Sequence, residues 1–322
     1  MPGSRVAAIL FALAFSLTGL TSVAHAAPYP EKPVRLIIPF EQGGGTSALG
    51  RFYQKAIEDE KFLPQPMPIM YMPGAGGTIG AREVMNADPD GYTILLWNIS
   101  VFGSKAMGNV EFGYEDFTPI CSLGSTPFVL VVREDTPWTE AAALFADAAA
   151  KPNTIPASVN MGASSHIGLV LAERGSPDAR FRHVQYNSTA KAYTALLGGH
   201  VDVGVLPVST VIQVASKGIR PLAMLGAERD AQLPDIPTLM ELGYDVNFEL
   251  HNWVLAPKGL DEAKVTLLAD AFEKALGTEY VRTNLKANAF EPNFLRGEPM
   301  LAYMKNQDEQ IKAIAPRLRG EE

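Results

Sequence analysis

Short apolar runs alternate with longer amphipathic segments along most of this chain. One alternating series occupies residues 34–98, and a second occupies residues 157–225. Apolar runs of this length between turn residues are typical of buried strands, and the segments between them have the periodicity of helices. The alternation therefore predicts two units of the α/β class, each a mostly parallel sheet flanked by helices.

The predicted elements follow in order along the sequence. The first series gives strands and helices in alternation at 34–40, 47–60, 69–72, 78–86 and 93–98. An extended run at 117–132 and an Ala-rich helix at 140–150 come next. The second series gives strands at 157–160, 181–185, 201–206 and 220–225, with helices at 165–174, 189–197 and 209–217 between them. The chain closes with a strand at 253–256 and helices at 261–276, 279–288 and 299–313.

The order of these elements predicts two domains that share the chain. We expect domain 1 to contain residues 27–127 and 234–322, and domain 2 to contain residues 128–233. The chain then passes between the domains twice, near Phe128 and within residues 227–235. Such an arrangement leaves a cleft between two parts that move against each other.

The first 26 residues have the pattern of a cleavable signal peptide. Arg5 gives a positive start, residues 6–20 are almost entirely apolar, and Ala24-His25-Ala26 is a small-residue cleavage site. We expect cleavage after Ala26 and a periplasmic mature protein.

Composition excludes several classes of function. The net charge is -8, and the 27 Lys and Arg residues are scattered, so a nucleic-acid partner is not expected. Cys121 is the single cysteine and has no partner for an internal disulfide. The four His residues beyond the signal peptide lack ligand spacing, so we expect no metal site.

Two glycine turns contain the residues that point to ligand binding. The first glycine turn, residues 43–47, follows a predicted strand and opens a helix; the second, residues 74–78, does the same. A helix start has unpaired N–H groups and the positive end of the helix dipole, and glycines let an anion approach the backbone. The two turns therefore predict a site for an anion.

Enzyme alternatives fit the sequence less well. Gly43, Gly45 and Ala48 match a loose dinucleotide fingerprint, but the next strand runs into Met72-Pro73-Gly74 without the acidic residue that this pattern needs. A nicotinamide-dependent oxidoreductase is thus a distant alternative. No Lys follows the glycines and no Gly-x-Ser-x-Gly motif occurs. We expect a protein that is not an enzyme and has no cofactor.

The ordered motifs resemble one family. The segments PFEQGGGT, PGAGGTIGA, DPDGYTILL, HVQYNSTAKAYTALLGGHVDVGV, LPDIPTLMELGY and NWVLAPKGL span residues 29–259. In this order they resemble the receptors of tripartite tricarboxylate transporters, the TctC-like or Bug family of solute-binding proteins. The resemblance implies a type II periplasmic-binding-protein fold, a two-domain Venus flytrap.

The resemblance also implies a function and a set of ligand contacts. A receptor of this kind closes on a small carboxylate and delivers it to membrane subunits of the transporter; a monomer is expected. A periplasmic sensor for a signalling partner is the alternative. The implied contacts are Gly44, Gly45, Thr46, Ser47, Ala75, Gly76, Gly77, Asn98 and Ser100 in the first domain, and Ser164, Ser165, His166, Tyr186, Asn187 and Ser209 in the second. Helix capping by the two adjacent serines, and packing for the His and Tyr, are the structural alternatives.

Two departures from the family pattern bear on the ligand. Ser47 stands where relatives often have Asp, which removes a partner for a ligand ammonium group. We therefore expect a dicarboxylate, a tricarboxylate or an aromatic acid rather than an amino acid. The relatives' PYKG segment is replaced by residues 185–188, Gln-Tyr-Asn-Ser, which changes the local backbone path around Tyr186 and Asn187.

Overall fold

The computed structural model describes residues 29–214 and 217–321. The predicted signal peptide lies outside this range. Among the helices of the described residues, none combines the length and the apolar character needed to cross a membrane.

The structure contains nine strands and eleven α-helices in its described part. The strands are β1 Arg35–Ile38, β2 Ile69–Tyr71, β3 Thr93–Asn98, β4 Phe117–Arg133, β5 Pro156–Val159, β6 Arg182–Gln185, β7 Val203–Pro207, β8 Ile219–Met224 and β9 Glu249–Pro257. The helices are α1 Gly45–Asp59, α2 Thr78–Met85, α3 Ser100–Ala106, α4 Ala141–Ala150, α5 Ser164–Gly175, α6 Thr189–Leu197, α7 Val208–Val214, α8 Glu262–Leu276, α9 Glu279–Ala287, α10 Gly297–Ala313 and α11 Ala315–Leu318.

The strands form one continuous series of hydrogen-bonded neighbours. Its order is β2-β1-β3-β9-β4-β7-β5-β6, and β8 also pairs with β4. Pairs among β1, β2 and β3 and among β5, β6 and β7 are parallel, whereas β4 and β9 pair antiparallel with their neighbours. The predicted α/β class with flanking helices is therefore confirmed. The prediction of mostly parallel sheets is not, because four strand pairs are parallel and four, those made by β4 and β9, are antiparallel.

Strand β4 belongs to both halves of this sheet. Its residues 117–127 pair with β9, and its residues 128–133 pair with β7 and β8. We call the half with β2, β1, β3, β9 and the start of β4 the first lobe, and the other half the second lobe. The dense run of β-formers Phe128–Val132 is fully buried, as expected for a central strand.

The return from the second lobe to the first runs through residues 225–249. The Leu225 N–H donates to the Phe128 carbonyl at 2.8 Å, and the Phe248 N–H donates to the Leu225 carbonyl at 2.7 Å. Tyr244 packs edge-on against Phe145 of α4, with ring centroids 4.9 Å apart. Strand β9 then begins with Glu249 opposite Pro127. We keep the division at residues 127/128 and 233/234 as a proposal.

Large aromatic side chains fill the first lobe beneath the predicted site. Trp97 of β3 and Trp253 of β9 are opposite each other and completely buried. Trp253 meets the ring of Phe102 of α3 edge-on at 5.3 Å. This packing fixes the position of α3 against the ends of β3 and β9.

Candidate functional site

Only some helix starts in the described chain have a side-chain cap; α2, α3, α4, α10 and α11 lack one, as do the two helix starts that matter here. Helices α6, α8 and α9 are capped by the side chains of Ser188, Asp261 and Thr278, which accept N–H groups of their first turns. Helices α1 and α5 have Gly44 and Ala163 at the N-cap, with no side-chain cap in the structure. Their first N–H groups therefore keep their hydrogen-bonding capacity for water or a ligand.

The first glycine turn presents such N–H groups at the end of β1. Gly44 and Gly45 are exposed, whereas Thr46 and Ser47 are buried. The Ala48 N–H is the first to enter the helical pattern, donating to the Gly44 carbonyl at 2.9 Å. The amides of residues 45–47 precede it and point out of the helix start. They form a cluster of three donors that suits a carboxylate oxygen.

A buried polar network holds this helix start in place. The Thr46 hydroxyl donates to Asn252 Oδ1 at 2.8 Å and accepts from Asn98 Nδ2 at 3.1 Å. Asn98 Oδ1 in turn accepts from the Ser100 N–H at 3.0 Å. All four residues are buried. The structure thus brings Thr46, Asn98 and Ser100 together; Asn252 contacts the Thr46 side chain, and Asn98 also accepts from the Ser100 backbone.

Ser47 faces a different group of side chains. Its hydroxyl lies 3.0 Å from the Tyr71 hydroxyl and accepts from Arg51 Nη1 at 2.7 Å. Ser47 has no exposed surface. Its side chain is therefore satisfied inside the protein and is not presented to a ligand.

The second glycine turn folds into a tight 3-10 turn before α2. Its backbone has φ values of +67° at Gly76 and +96° at Gly77, which favour glycine. The Gly77 N–H donates to the Gly74 carbonyl at 2.9 Å, so this amide is already engaged. Ala75 and Gly76 are exposed and are the candidate donors of this turn. An ideal Cβ at Gly77 would lie 2.7 Å from Trp97 Nε1, so Gly77 is required by close packing.

Every N–H of the β5–α5 turn of the second lobe, residues 160–163, donates a hydrogen bond, three of them to side chains. Ser165 Oγ accepts from the Asn160 N–H at 3.0 Å, and Gln185 Oε1 accepts from the Met161 N–H at 2.7 Å. His166 Nδ1 accepts from the Gly162 N–H at 3.1 Å, and the next amide, at position 163, donates to the Asn160 carbonyl. The Ser165 hydroxyl therefore holds the turn and does not cap α5. The backbone amides of Ser164 and Ser165 remain as the donors of this helix start.

His166 is completely buried and belongs to a chain of polar side chains. Its Nε2 lies 3.2 Å from His183 Nδ1, and His183 Nε2 lies 3.2 Å from Glu173 Oε1. Burial and the neighbouring imidazole lower the pKa of His166 to about 3. This geometry gives His166 an internal partner on both ring nitrogens; a direct ligand contact stays a prediction.

The remaining predicted second-lobe residues lie further along the surface. Tyr186 lines a shallow depression with residues of α6 and with His200. Asn187 is exposed, and its Oδ1 accepts from Gln185 Nε2 at 2.8 Å. Ser209 lies half-buried in α7. The structure links Asn187 to the β5–α5 turn through Gln185, and the Tyr186 N–H donates to the carbonyl of Val159, directly before the turn, at 2.8 Å. It gives no such link for Ser209 within the described residues.

The two lobes touch where α3 meets the β5–α5 turn. An ideal Cβ at Gly103 would come within 1.9 Å of the Gly162 carbonyl oxygen, so only glycine permits this backbone approach. Gly162 also lies near Met107 at the end of α3. Because α3 begins at Ser100, two residues after Asn98, this contact joins the first-lobe part of the site to the second lobe.

Several residues of this region were not among the predicted contacts. Asn252 is completely buried, and its Nδ2 has no partner among the described residues. Trp97 Nε1, Ser125 Oγ and His251 Nδ1 are likewise buried and unpartnered in the described chain. Asn252 belongs to the NWVLAPKGL segment, but no local pattern indicates that its side-chain amide bonds to Thr46, 206 residues away.

Comparisons with known proteins show one family. The family model for the tripartite tricarboxylate transporter family receptor, TctC, matches residues 51–318. Protein BugT of Bordetella pertussis is 30% identical over 282 residues, covering 85% of each chain. A ligand-free TctC solute-binding protein from Polaromonas has a TM-score of 0.75 at 28% identity and covers 90% of this chain and 100% of its own. MatC from Rhodopseudomonas palustris, with bound malate, has a TM-score of 0.77 at 25% identity, with coverage of 89% and 100%.

These matches confirm the recognition made from the glycine turns and the motifs that follow them. The family and the fold are those of substrate-binding receptors rather than enzymes. Proteins of this family are receptors of transporters, which agrees with a periplasmic location. The chain belongs to the TctC family of tripartite tricarboxylate transporter receptors.

Proposed function

We propose that this receptor captures a small dicarboxylate, tricarboxylate or aromatic acid between its lobes. The observation that carries the proposal is the uncapped start of α1, where the amides of residues 45–47 are held by the buried network of Thr46, Asn98 and Asn252. Each bond from such a donor to a charged oxygen contributes about 1.5–3 kcal/mol. Micromolar affinity corresponds to about -8 kcal/mol, so a few donors suffice after ordering costs.

Further donors lie in the second glycine turn and at the start of α5. The proposed contacts are the Ala75 and Gly76 amides of the second glycine turn and the Ser164 and Ser165 amides at the α5 start. Such backbone amides are neutral and fixed, so they bind a carboxylate without a buried Lys or Arg. A ligand that contacts both lobes stabilises the closed form by its differential affinity for that form.

The surroundings of Ser47 favour an acid over an amino acid. Arg51 donates to the Ser47 hydroxyl, and no carboxylate lies within ion-pair distance of Arg51 in the described residues. A ligand ammonium group near Ser47 would therefore meet the positive charge of Arg51, which no carboxylate in the described chain pairs with. The malate bound to MatC, a dicarboxylate, supports the same ligand class.

A thermal-shift screen followed by calorimetry tests the ligand class. The mature protein is mixed with aliphatic dicarboxylates, citrate, aromatic carboxylates and amino acids at equal concentration. Binding to the folded state raises the melting temperature according to RT ln(1 + [L]/Kd). We expect dicarboxylates, citrate or aromatic acids to give the largest shift; tightest binding of amino acids would overturn the proposal.

We further propose delivery to the membrane subunits of a tripartite tricarboxylate transporter, as the family implies. Uptake of radiolabelled ligand by vesicles that contain these subunits tests this step. We expect uptake only when the receptor is added. Capture of a signalling protein, with no stimulation of uptake, would favour the sensor alternative instead.

A further inference from the structure

Three side chains outside the predicted amide contacts form a hydrogen-bonded line to the β5–α5 turn. The line runs from Glu173 through His183 and His166 to the Gly162 N–H, with distances of 3.2, 3.2 and 3.1 Å. Glu173 and His166 are buried, whereas His183 retains partial exposure. We propose that this line is a positioning device for the ligand-binding turn of the second lobe, and that protonation of His183 releases the turn.

The proton positions in this line follow from its two ends. A backbone N–H can only donate, so His166 Nδ1 must accept and the His166 proton must be on Nε2. That proton is donated to His183 Nδ1, which places the proton of neutral His183 on Nε2. His183 then donates to Glu173, whose Oε1 also accepts from the Phe181 N–H at 2.8 Å. Every nitrogen in the line is satisfied in this one arrangement.

Protonation of His183 is incompatible with that arrangement. An imidazolium donates from both nitrogens, so His183 Nδ1–H would face the Nε2–H of His166. His166 could restore the contact only by moving its proton to Nδ1, where it would face the Gly162 N–H. Either way one buried donor loses its acceptor, which disfavours the observed position of the turn.

The charged groups around His183 are few. Glu173 and His166, both on α5, face its ring. Strand β5, which pairs with β6, contains no ionisable residue. Arg180 in the preceding loop directs its guanidinium to backbone carbonyls of that loop. Glu173 therefore favours the imidazolium through its charge, and the geometry of the line opposes it.

The position of the turn matters because Gly162 is also the point of contact between the lobes. Its carbonyl oxygen lies against Gly103 of α3, and α5 begins two residues after it. Loss of the His166 contact therefore disturbs both the lobe contact and the Ser164 and Ser165 amides. This consequence for ligand affinity rests on the proposed function, whereas the proton arrangement does not.

Nuclear magnetic resonance of the full mature protein labelled with ¹⁵N-histidine tests the arrangement without a ligand. Where both imidazoles are neutral, we expect each of them to have its proton on Nε2. On acidification, the Gly162 amide signal should shift with the same midpoint as the imidazole signals of His183. A proton on Nδ1 of either ring at high pH, or a Gly162 signal that ignores the titration, would overturn the proposal.

Two variants separate the positioning role from a general loss of stability. Glu173→Gln keeps an oxygen that can accept from His183 and from the Phe181 N–H but removes the negative charge. We therefore expect the imidazole signals of His183 and the Gly162 amide signal to shift to a lower midpoint together. His200→Gln changes an exposed histidine of the same lobe and should leave the midpoint unchanged. Equal midpoints of the Gly162 signal in Glu173→Gln and His200→Gln would contradict the coupling of Glu173 to the turn.

Malate affinity, measured by calorimetry, connects the line to binding. On acidification, we expect the malate affinity of the wild type to fall about tenfold beyond the change that protonation of malate itself causes. His200→Gln should show the same fall. His166→Phe should bind malate weakly at both pH values. An unaltered affinity in His166→Phe, with native melting, would overturn the positioning role; absence of malate binding by the wild type would count against the ligand choice alone.

Discussion

The hydroxyl of Thr46 links three elements at the predicted ligand site, so replacing Thr46 by Val is the sharpest test of that network. Valine has almost the same shape and keeps the backbone N–H. The change removes the group that donates to Asn252 Oδ1 at 2.8 Å and accepts from Asn98 Nδ2 at 3.1 Å. Both partners are buried, so water cannot replace the lost hydroxyl easily.

The expected cost follows from the two groups left without a partner. A buried donor or acceptor that loses its partner costs about 1–3 kcal/mol. Since Asn98 and Asn252 are both affected, Thr46→Val should lower the free energy of unfolding by about 2–4 kcal/mol. Thr46→Ser is the matched control, because it keeps the hydroxyl and removes one methyl group, worth about 1 kcal/mol.

Urea unfolding followed by tryptophan fluorescence measures both variants against the wild type. Calorimetry with malate, at low temperature and without urea, then shows whether the start of α1 still binds a carboxylate. We expect Thr46→Val to lose affinity as well as stability, since its network positions the amides. If Thr46→Val were within about 0.5 kcal/mol of Thr46→Ser, the network would not hold the helix start.

Three further predictions concern separate parts of the molecule. Gly76→Val should reduce carboxylate affinity at least tenfold, because φ at Gly76 is +67° and an added Cβ would lie 3.2 Å from Ser104 Oγ. Calorimetry measures this affinity, and the control is Gly108→Val, where φ is similar, +72°, but no atom lies within 4 Å of the added Cβ. Burial lowers the pKa of His251 to about 4, whereas its pKa in the unfolded chain is about 6.5. The stability that neutral His251 contributes is therefore complete above about pH 6.5 and is lost as the pH falls towards 4. Urea titrations at about pH 7 and 4.5 should show that His251→Gln removes about 2–3 kcal/mol of this acid dependence, and an unchanged dependence would contradict it. Burial raises the pKa of the Cys121 thiol well above its usual value, so a thiol reagent should label the native protein only at the rate of unfolding, and fast labelling without denaturant would refute this.

Most elements could be predicted from sequence because their signals are local. The apolar run of β3 and the periodic pattern of α6 gave bounds of 93–98 and 189–197, which the structure reproduces. Glycine and proline between the runs marked the turns. Helix α3, Ser100–Ala106, was not predicted, because its seven residues are nearly all buried and have no polar face.

The site was predictable only as far as backbone chemistry determines it. Glycines before α1 indicated exposed amides, and the structure leaves that helix start uncapped. The engagement of the Gly77 amide could not be foreseen, because it depends on the 3-10 turn that the local φ values produce. The partners of Thr46 and His166 come from distant parts of the chain, and one sequence contains no signal for such pairs.

Strand β4 runs unbroken through both lobes and is hydrogen-bonded to β9 up to Pro127. A chimaera that exchanges one lobe between related receptors must therefore cut a central strand rather than a loose linker. The cut piece would display unpaired main-chain groups along β9, an edge that recruits strands from other molecules. Grafting of new specificity onto this scaffold is better confined to the turns at the strand ends, where the sheet stays whole.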